Sequence, residues 1–260
     1  MHIRLSLAIA ALFSCASLPA ATAPLLQERF NDASSLEYLN GAEQGADKSG
    51  VSGKAGDKAY SANAETPDPS QPQPGAMLLD SSALSGDLRQ FTVTVWYKAN
   101  RAPQDPDSLL RLGGFYLLWD NARGWTMRIE VPPGGEPFSN WFNTGLKGPF
   151  LTANSVGEWI FYAISWDLDS RTCVMYQGTI NDSAEVFREQ ANFEVPGPVK
   201  GATTNVIGND FKANGNTVGS RPFSGEIDNL RIYEKALDQT EIEAIRKADT
   251  ENEDPRLDRT

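Results

Sequence analysis

The chain has 260 residues, with 34 acidic against 23 basic side chains and a formal net charge of −11 at pH 7. That balance excludes nucleic acid or an anionic membrane surface as the main partner, because both are held by clustered Lys and Arg. It suits Ca²⁺, which takes carboxylate and carbonyl oxygens, although acidic groups also serve simply to keep an exported protein soluble.

Met1 to Arg4 form a short positive head, Leu5 to Phe13 an apolar run broken only by Ser6, and Ala21-Thr22-Ala23 a small-x-small site. This order predicts a secretory signal over residues 1–23, and hence a secreted protein. The apolar run is too short to cross a bilayer as a helix. Leu12-Phe13-Ser14-Cys15 loosely resembles a bacterial lipobox, so membrane attachment is expected only if Cys15 is acylated. The one histidine, His2, and one of the two cysteines, Cys15, lie inside the predicted signal. What remains has no imidazole and a single thiol, Cys173, which excludes Ser-His-Asp and Cys-His catalysis, an internal disulfide and the usual zinc or copper sites. Cys173 falls in the strand-like run Thr172 to Tyr176 and reads as a small core residue.

Residues 24–248 carry no internal repeat and read as one all-β domain, with 249–260 as a polar tail. A first strand is expected near Leu25–Asn31. Ser61 to Gly75 holds Pro67, Pro69, Pro72 and Pro74 and reads as a surface loop, followed by a strand near Ala76–Leu79. In Gln90 to Lys98, Phe91, Val93, Val95 and Tyr97 alternate with Thr92, Thr94 and Lys98, the period of a half-buried strand. A strand is expected within Leu109–Asp120. In Gly124 to Val131, Trp125, Met127, Ile129 and Val131 alternate with Thr126, Arg128 and Glu130, and Pro132-Pro133-Gly134-Gly135 then marks a turn. Glu158 to Asp167 is apolar on both parities, which predicts a central strand covered on both faces. Asp167-Leu168-Asp169-Ser170 turns it into a hairpin with Thr172–Gly178, and further strands are expected near Val186–Phe193, Thr204–Ile207 and Phe223–Tyr233. Asp238-Gln239-Thr240-Glu241 is an Asp-x-x-Glu capping box that opens one short C-terminal helix. Many short strands with one late helix predict a two-sheet antiparallel sandwich.

Pro222 to Leu237 followed by Glu241-Ile242 resembles the last strand and helix of bacterial laminin-G-like domains, within the concanavalin A-like lectin and glucanase superfamily. Gly53 to Ala59 resembles that family's early glycine turn and Phe91 to Trp96 its first long strand. Glu158-Trp159, Ser165-Trp166-Asp167 and Val174 to Gly178 resemble its central hairpin, and Ile207-Gly208-Asn209 the short strand before the last. The resemblance spans about residues 25–248 and implies a concanavalin A-like jelly roll. It does not fix function, since such sandwiches serve lectins, glycosidases, lyases and adhesion modules.

The resemblance also implies that Asp228 holds a structural Ca²⁺ together with the N-terminal strand, with Asp32 as a second ligand. In a regular strand Asp228 shares parity with Leu230 and Ile232 and would point with them to the core. A carboxylate there needs a cation or several donors, so the alternative is an Asp held by Arg29, Arg231 or backbone N–H groups. Glu226-Ile227-Asp228 reproduces half of the Glu-x-Asp-x-x-Glu strand of the superfamily's hydrolases. The third acid position is Arg231, and retaining hydrolysis needs two carboxyls about 5 Å apart.

For ligand binding the sequence singles out Phe138, Asn140, Trp141 and Asn143 in an aromatic and amide stretch, with Asp120 and Asn209-Asp210 as neighbours on a rim. Aromatic faces stack on sugar rings and amides grip hydroxyls; the alternative is that these rings cover a sheet edge. The expected function is a secreted, non-catalytic carbohydrate-binding or adhesion-type module, with a polysaccharide or glycoconjugate as partner. A polysaccharide-cleaving glycosidase or lyase, and an envelope protein with no small ligand, are the alternatives.

Overall fold

The alternation in residues 90–98 builds the strand on which one whole sheet is assembled. The computed structural model describes residues 22–32, 35–64, 73–78, 82–104, 107–120, 124–129, 140–143, 155–192, 197–201, 205–210 and 221–251. The predicted signal through Ala21 and most of the predicted tail lie outside them. The strands are β1 Leu26–Glu28, β2 Leu36–Leu39, β3 Glu43–Gln44, β4 Tyr60–Ala62, β5 Gly75–Leu78, β6 Gln90–Ala99, β7 Ser108–Leu112 and β8 Phe115–Asp120. They continue as β9 Gly124–Ile129, β10 Asn140–Asn143, β11 Ile160–Asp167, β12 Thr172–Thr179, β13 Glu185–Ala191, β14 Asn205–Ile207 and β15 Gly225–Tyr233, before α1 at Gln239–Thr250.

Two antiparallel sheets form the predicted sandwich. One runs β13-β12-β11-β6-β15-β4-β3 with β1 paired to β15; the other runs β10-β9-β8-β7-β14-β5-β2. Phe91, Val93, Val95 and Tyr97 face Leu110, Leu117, Met127 and Ile207 across the core between them. β11 is buried on both faces, as its double apolar pattern predicts, because Phe161 and Ala163 pack outward with Trp96, Tyr233, Ile242 and Ile245 beneath α1. The helix, with Val51 and Ala59 from the segment before β4, therefore covers the central strands of the eight-stranded sheet. Cys173 is buried in the core.

The helix begins on the predicted capping box: the Asp238 side chain accepts the Glu241 N–H, and the Glu241 side chain accepts the Asp238 N–H. It continues to Thr250, and Asp249, read in the sequence as the start of a polar tail, is buried. The stretch 109–120 is two strands rather than one, because Gly113-Gly114 turn the chain between β7 and β8. Among the described residues no helix is long and apolar enough to cross a membrane.

The predicted parity of Asp228 does not hold. Asn229 takes a left-handed φ of 47° and the pairing of β15 with β6 shifts register between Asp228 and Arg231. This bulge puts both Ile227 and Leu230 into the core, so Asp228 opposes Trp96 on the outer face instead of sharing a face with Leu230.

Candidate functional site

Most of the predicted ligand residues fall on strands of the seven-stranded sheet. Antiparallel register fixes which residues share a face. Phe142, Met127, Leu117, Leu110, Ile207, Ala76 and Tyr38 are successive partners across the sheet and belong to the inner face. One residue along, Trp141, Arg128, Tyr116, Arg111, Val206, Met77 and Glu37 form the matching row on the opposite face. A period-two pleat requires this separation.

The register divides the predicted ligand residues. Trp141 and Asn143 are the register partners of Arg128 and Thr126, in the row opposite to the core row, and Asp120 ends β8 as the partner of Gly124. Asn140 is the partner of Ile129, on the core-facing side. Phe138 lies outside the described residues. Residues 140–143 are a paired edge strand, not a loop, a local bias that their mixed aromatic and amide composition hides.

The centre of the outward face is filled, since Tyr116, Leu118 and Val206 are buried. Polar access lies at Arg111 and Arg221. The Arg111 guanidinium sits 4.2 Å from the Tyr116 ring centroid and gives Nη1 to Asp210 Oδ1 at 3.0 Å. Arg221 gives Nη1 to Asp210 Oδ2 at 2.9 Å. Asn209 places this pair: its Oδ1 accepts the N–H groups of Asp210 and Arg221, and its Nδ2 donates to Pro74 O. Asn209 and Asp210, suggested by the sequence as rim residues, are both buried, and they order the two arginines from beneath. Arg111 and Arg221 were not singled out. A lone charge among leucines in Leu109-Leu110-Arg111-Leu112 was a usable signal, whereas nothing local marks Arg221.

Asp228 lies on the eight-stranded sheet. Its Oδ2 accepts Val51 N–H at 2.8 Å and Asn229 Nδ2 at 3.3 Å, and its Oδ1 accepts Asn229 N–H at 2.7 Å. Backbone N–H groups thus serve it, as one of the two sequence readings has it. Burial, and then the nearby Asp57 charge, hold its pKa well above the usual carboxylate range. Asp57 is itself buried, accepts Ser52 N–H and Oγ, and is so closely cradled that a Cβ on Gly50 would overlap its carboxylate. Asn229 Oδ1 is buried with no hydrogen-bond partner among the described residues. Two adjacent buried carboxylates and an orphaned amide oxygen fit a hard, oxygen-seeking cation. Asp32 is exposed, and its charge acts on Glu28 and Tyr38. Among the described residues no three His, Cys, Asp or Glu side chains gather as a metal cluster. Glu226 pairs with Lys98 on this same sheet, and Asp228 is 0% exposed, so the Glu226-x-Asp228 pair offers a polymer no access.

Glu28 supplies a test of pH dependence. It is buried, and burial raises its pKa against hydrogen bonds from Ser35 Oγ and Phe30 N–H. Folded chains then bind more protons than unfolded ones above the free glutamate value of about 4.3, so this group's contribution to stability falls as pH rises through that window. Urea unfolding from pH 4 to 7 should show wild type losing stability relative to Glu28→Gln; a flat difference would refute the assignment.

The chain belongs to the laminin-G-like family of the concanavalin A-like lectin/glucanases superfamily, whose family model matches residues 74–243. No curated protein matches it in sequence. Among solved structures it is similar to the binding domain of botulinum neurotoxin serotype G, with a TM-score of 0.55, 10% identity, and 86% of this chain and 50% of that one covered. The CBM40 domain of the Ruminococcus gnavus IT-sialidase bound to alpha2,3 sialyllactose gives 0.50 and 16%, covering 86% of this chain and 100% of that one. The heptameric SAP-like pentraxin of Limulus polyphemus gives 0.50 and 14%, covering 70% and 79%. At these identities the likeness establishes the fold alone.

Proposed function

We propose that this protein is a secreted, non-catalytic carbohydrate-binding or adhesion-type module that takes its glycan on the outward face of the seven-stranded sheet. The observation that carries the reading is the register row that puts Trp141 on one face with Arg128, Tyr116 and Arg111, next to Asp210 and Arg221. It joins an aromatic residue to polar groups of the kind that fix a saccharide's orientation. A sialyllactose-bound CBM40 domain of the same fold supports it. Export rests on the order of residues in Met1–Ala23.

Binding to a panel of marine, plant and host polysaccharides is the test. Trp141→Ala should weaken any binding about tenfold, equivalent to about 1.4 kcal/mol. A blank panel with wild type would sink the reading.

Within the same proposal, Asp228, Asp57 and Asn229 hold a structural Ca²⁺ that offsets their buried negative charge. Thermal melting should then shift downward on adding a chelator and recover with excess Ca²⁺. An unchanged wild-type melt would end the calcium proposal and leave the glycan reading standing.

A further inference from the structure

The guanidinium groups on the saccharide face have a chemistry of their own. Arg221 has a side chain 34% exposed, and among the described contacts only its Nη1 is engaged, by Asp210. Its backbone N–H is tied to Asn209 Oδ1 at 3.0 Å, so the side chain starts from a fixed point. Arg111 is held against the Tyr116 ring and shares the same carboxylate. Arg128 stands on the same row, as the register partner of both Tyr116 and Trp141. Two half-buried guanidinium groups, Arg111 and Arg221, therefore share one carboxylate at the margin of this sheet, in a chain whose net charge is −11. A guanidinium presents a planar fork that matches carboxylate and sulfate oxygens, and an orienting carboxylate such as Asp210 holds that fork in place.

We infer that the ligand is an anionic saccharide, a glycan carrying carboxylate or sulfate groups, with Arg221 receiving the anion and the row from Arg111 to Trp141 receiving neighbouring sugar. From β7 to β10 is three strand spacings, about 14 Å, so the site reads a chain of sugars rather than a single ring. The overall negative charge repels polyanions at long range, so any binding of one must come from this local cluster.

The inference rests on the glycan reading of this face, and the experiment separates the two. Wild-type full-length protein is titrated with polygalacturonate, its fully methyl-esterified neutral form, dextran sulfate and dextran, at 0.1 and 0.5 M salt. Binding at least tenfold tighter to polygalacturonate than to its ester supports a carboxylate-bearing ligand; the same preference for dextran sulfate over dextran supports a sulfated one. In either case Arg221→Gln should weaken the preferred anion at least tenfold with an unchanged melting temperature, while Arg221→Lys retains part of the affinity. Equal binding of charged and neutral partners, or no effect of Arg221→Gln in a folded variant, overturns the inference and leaves the glycan reading intact. No binding to any of the four, together with a blank panel, overturns both.

Discussion

Asp249→Ala should lower stability by about 3–5 kcal/mol in urea unfolding, the cost of removing one partner from a buried ion pair. Arg231 and Asp249 are 0% and 1% exposed and meet through Nη1 and Oδ2 at 2.9 Å and Nη2 and Oδ1 at 2.6 Å. Burial works against the charge on Arg231, and the Asp249 carboxylate outweighs it, so the guanidinium is held above its usual range. Trp96 Nε1 donates to the same carboxylate oxygen at 3.0 Å. Alanine leaves a buried guanidinium and an indole N–H without their acceptor beneath the last turn of α1. Replacing both partners by leucine should cost less than either single loss, because no uncompensated charge stays behind. A cost below about 1 kcal/mol for Asp249→Ala would mean that the helix is held by Ile242, Ile245 and the Arg246 bonds to the Thr179 and Ile180 carbonyls instead.

Gly208→Ala should cost about 2–4 kcal/mol, from left-handed strain together with overpacking. Gly208 has a φ of 70°, and a Cβ there would overlap the hydroxyl end of Tyr60. Tyr60 is fully buried, stacked on Tyr38 with centroids 6.3 Å apart, and cannot swing aside. Its hydroxyl meets no hydrogen-bond partner among the described residues. Tyr60→Phe alone should therefore be neutral or stabilising, since it removes an unsatisfied buried polar group. In its background Gly208→Ala should lose less stability than in wild type. Additive effects in this double-mutant cycle would show that the overlap with the ring carbons Cζ and Cε1, which Phe keeps, sets the cost rather than the hydroxyl.

The parts legible in the sequence are those written in local period. β6, β9, β11 and β12 emerge within a residue or two of their predicted ends, and the capping box at Asp238 places α1. β2, β3, β4 and β10 were not legible. They are two to four residues long, and pairing partners rather than intrinsic pattern hold them in place. The bulge at Asn229 was equally silent, because a single left-handed residue reverses parity without changing composition. On the site, alternation in Gly124–Val131 already put Arg128 on a polar face, and Asn209-Asp210 were named as rim residues. Bringing Arg221 beside Arg111 depends on β14 inserting between β5 and β7, a long-range fact that no window of sequence contains. The Arg231–Asp249 pair is the same kind of case, since its meaning lies in burial under a helix.

One pairing bears on how the protein is made. β1 joins β15, with Leu26 opposite Ile232 and Glu28 opposite Leu230. The beginning and end of the domain are thus neighbours in one sheet, and β6 waits for β15 on one flank until almost the whole domain has been synthesised. Closing so long a loop carries its entropy cost before any contact rewards it, so folding should be slow and governed by non-local pairing. The nascent chain would expose the β6 edge until β15 arrives, which is the interval in which aggregation or a holding chaperone competes for it.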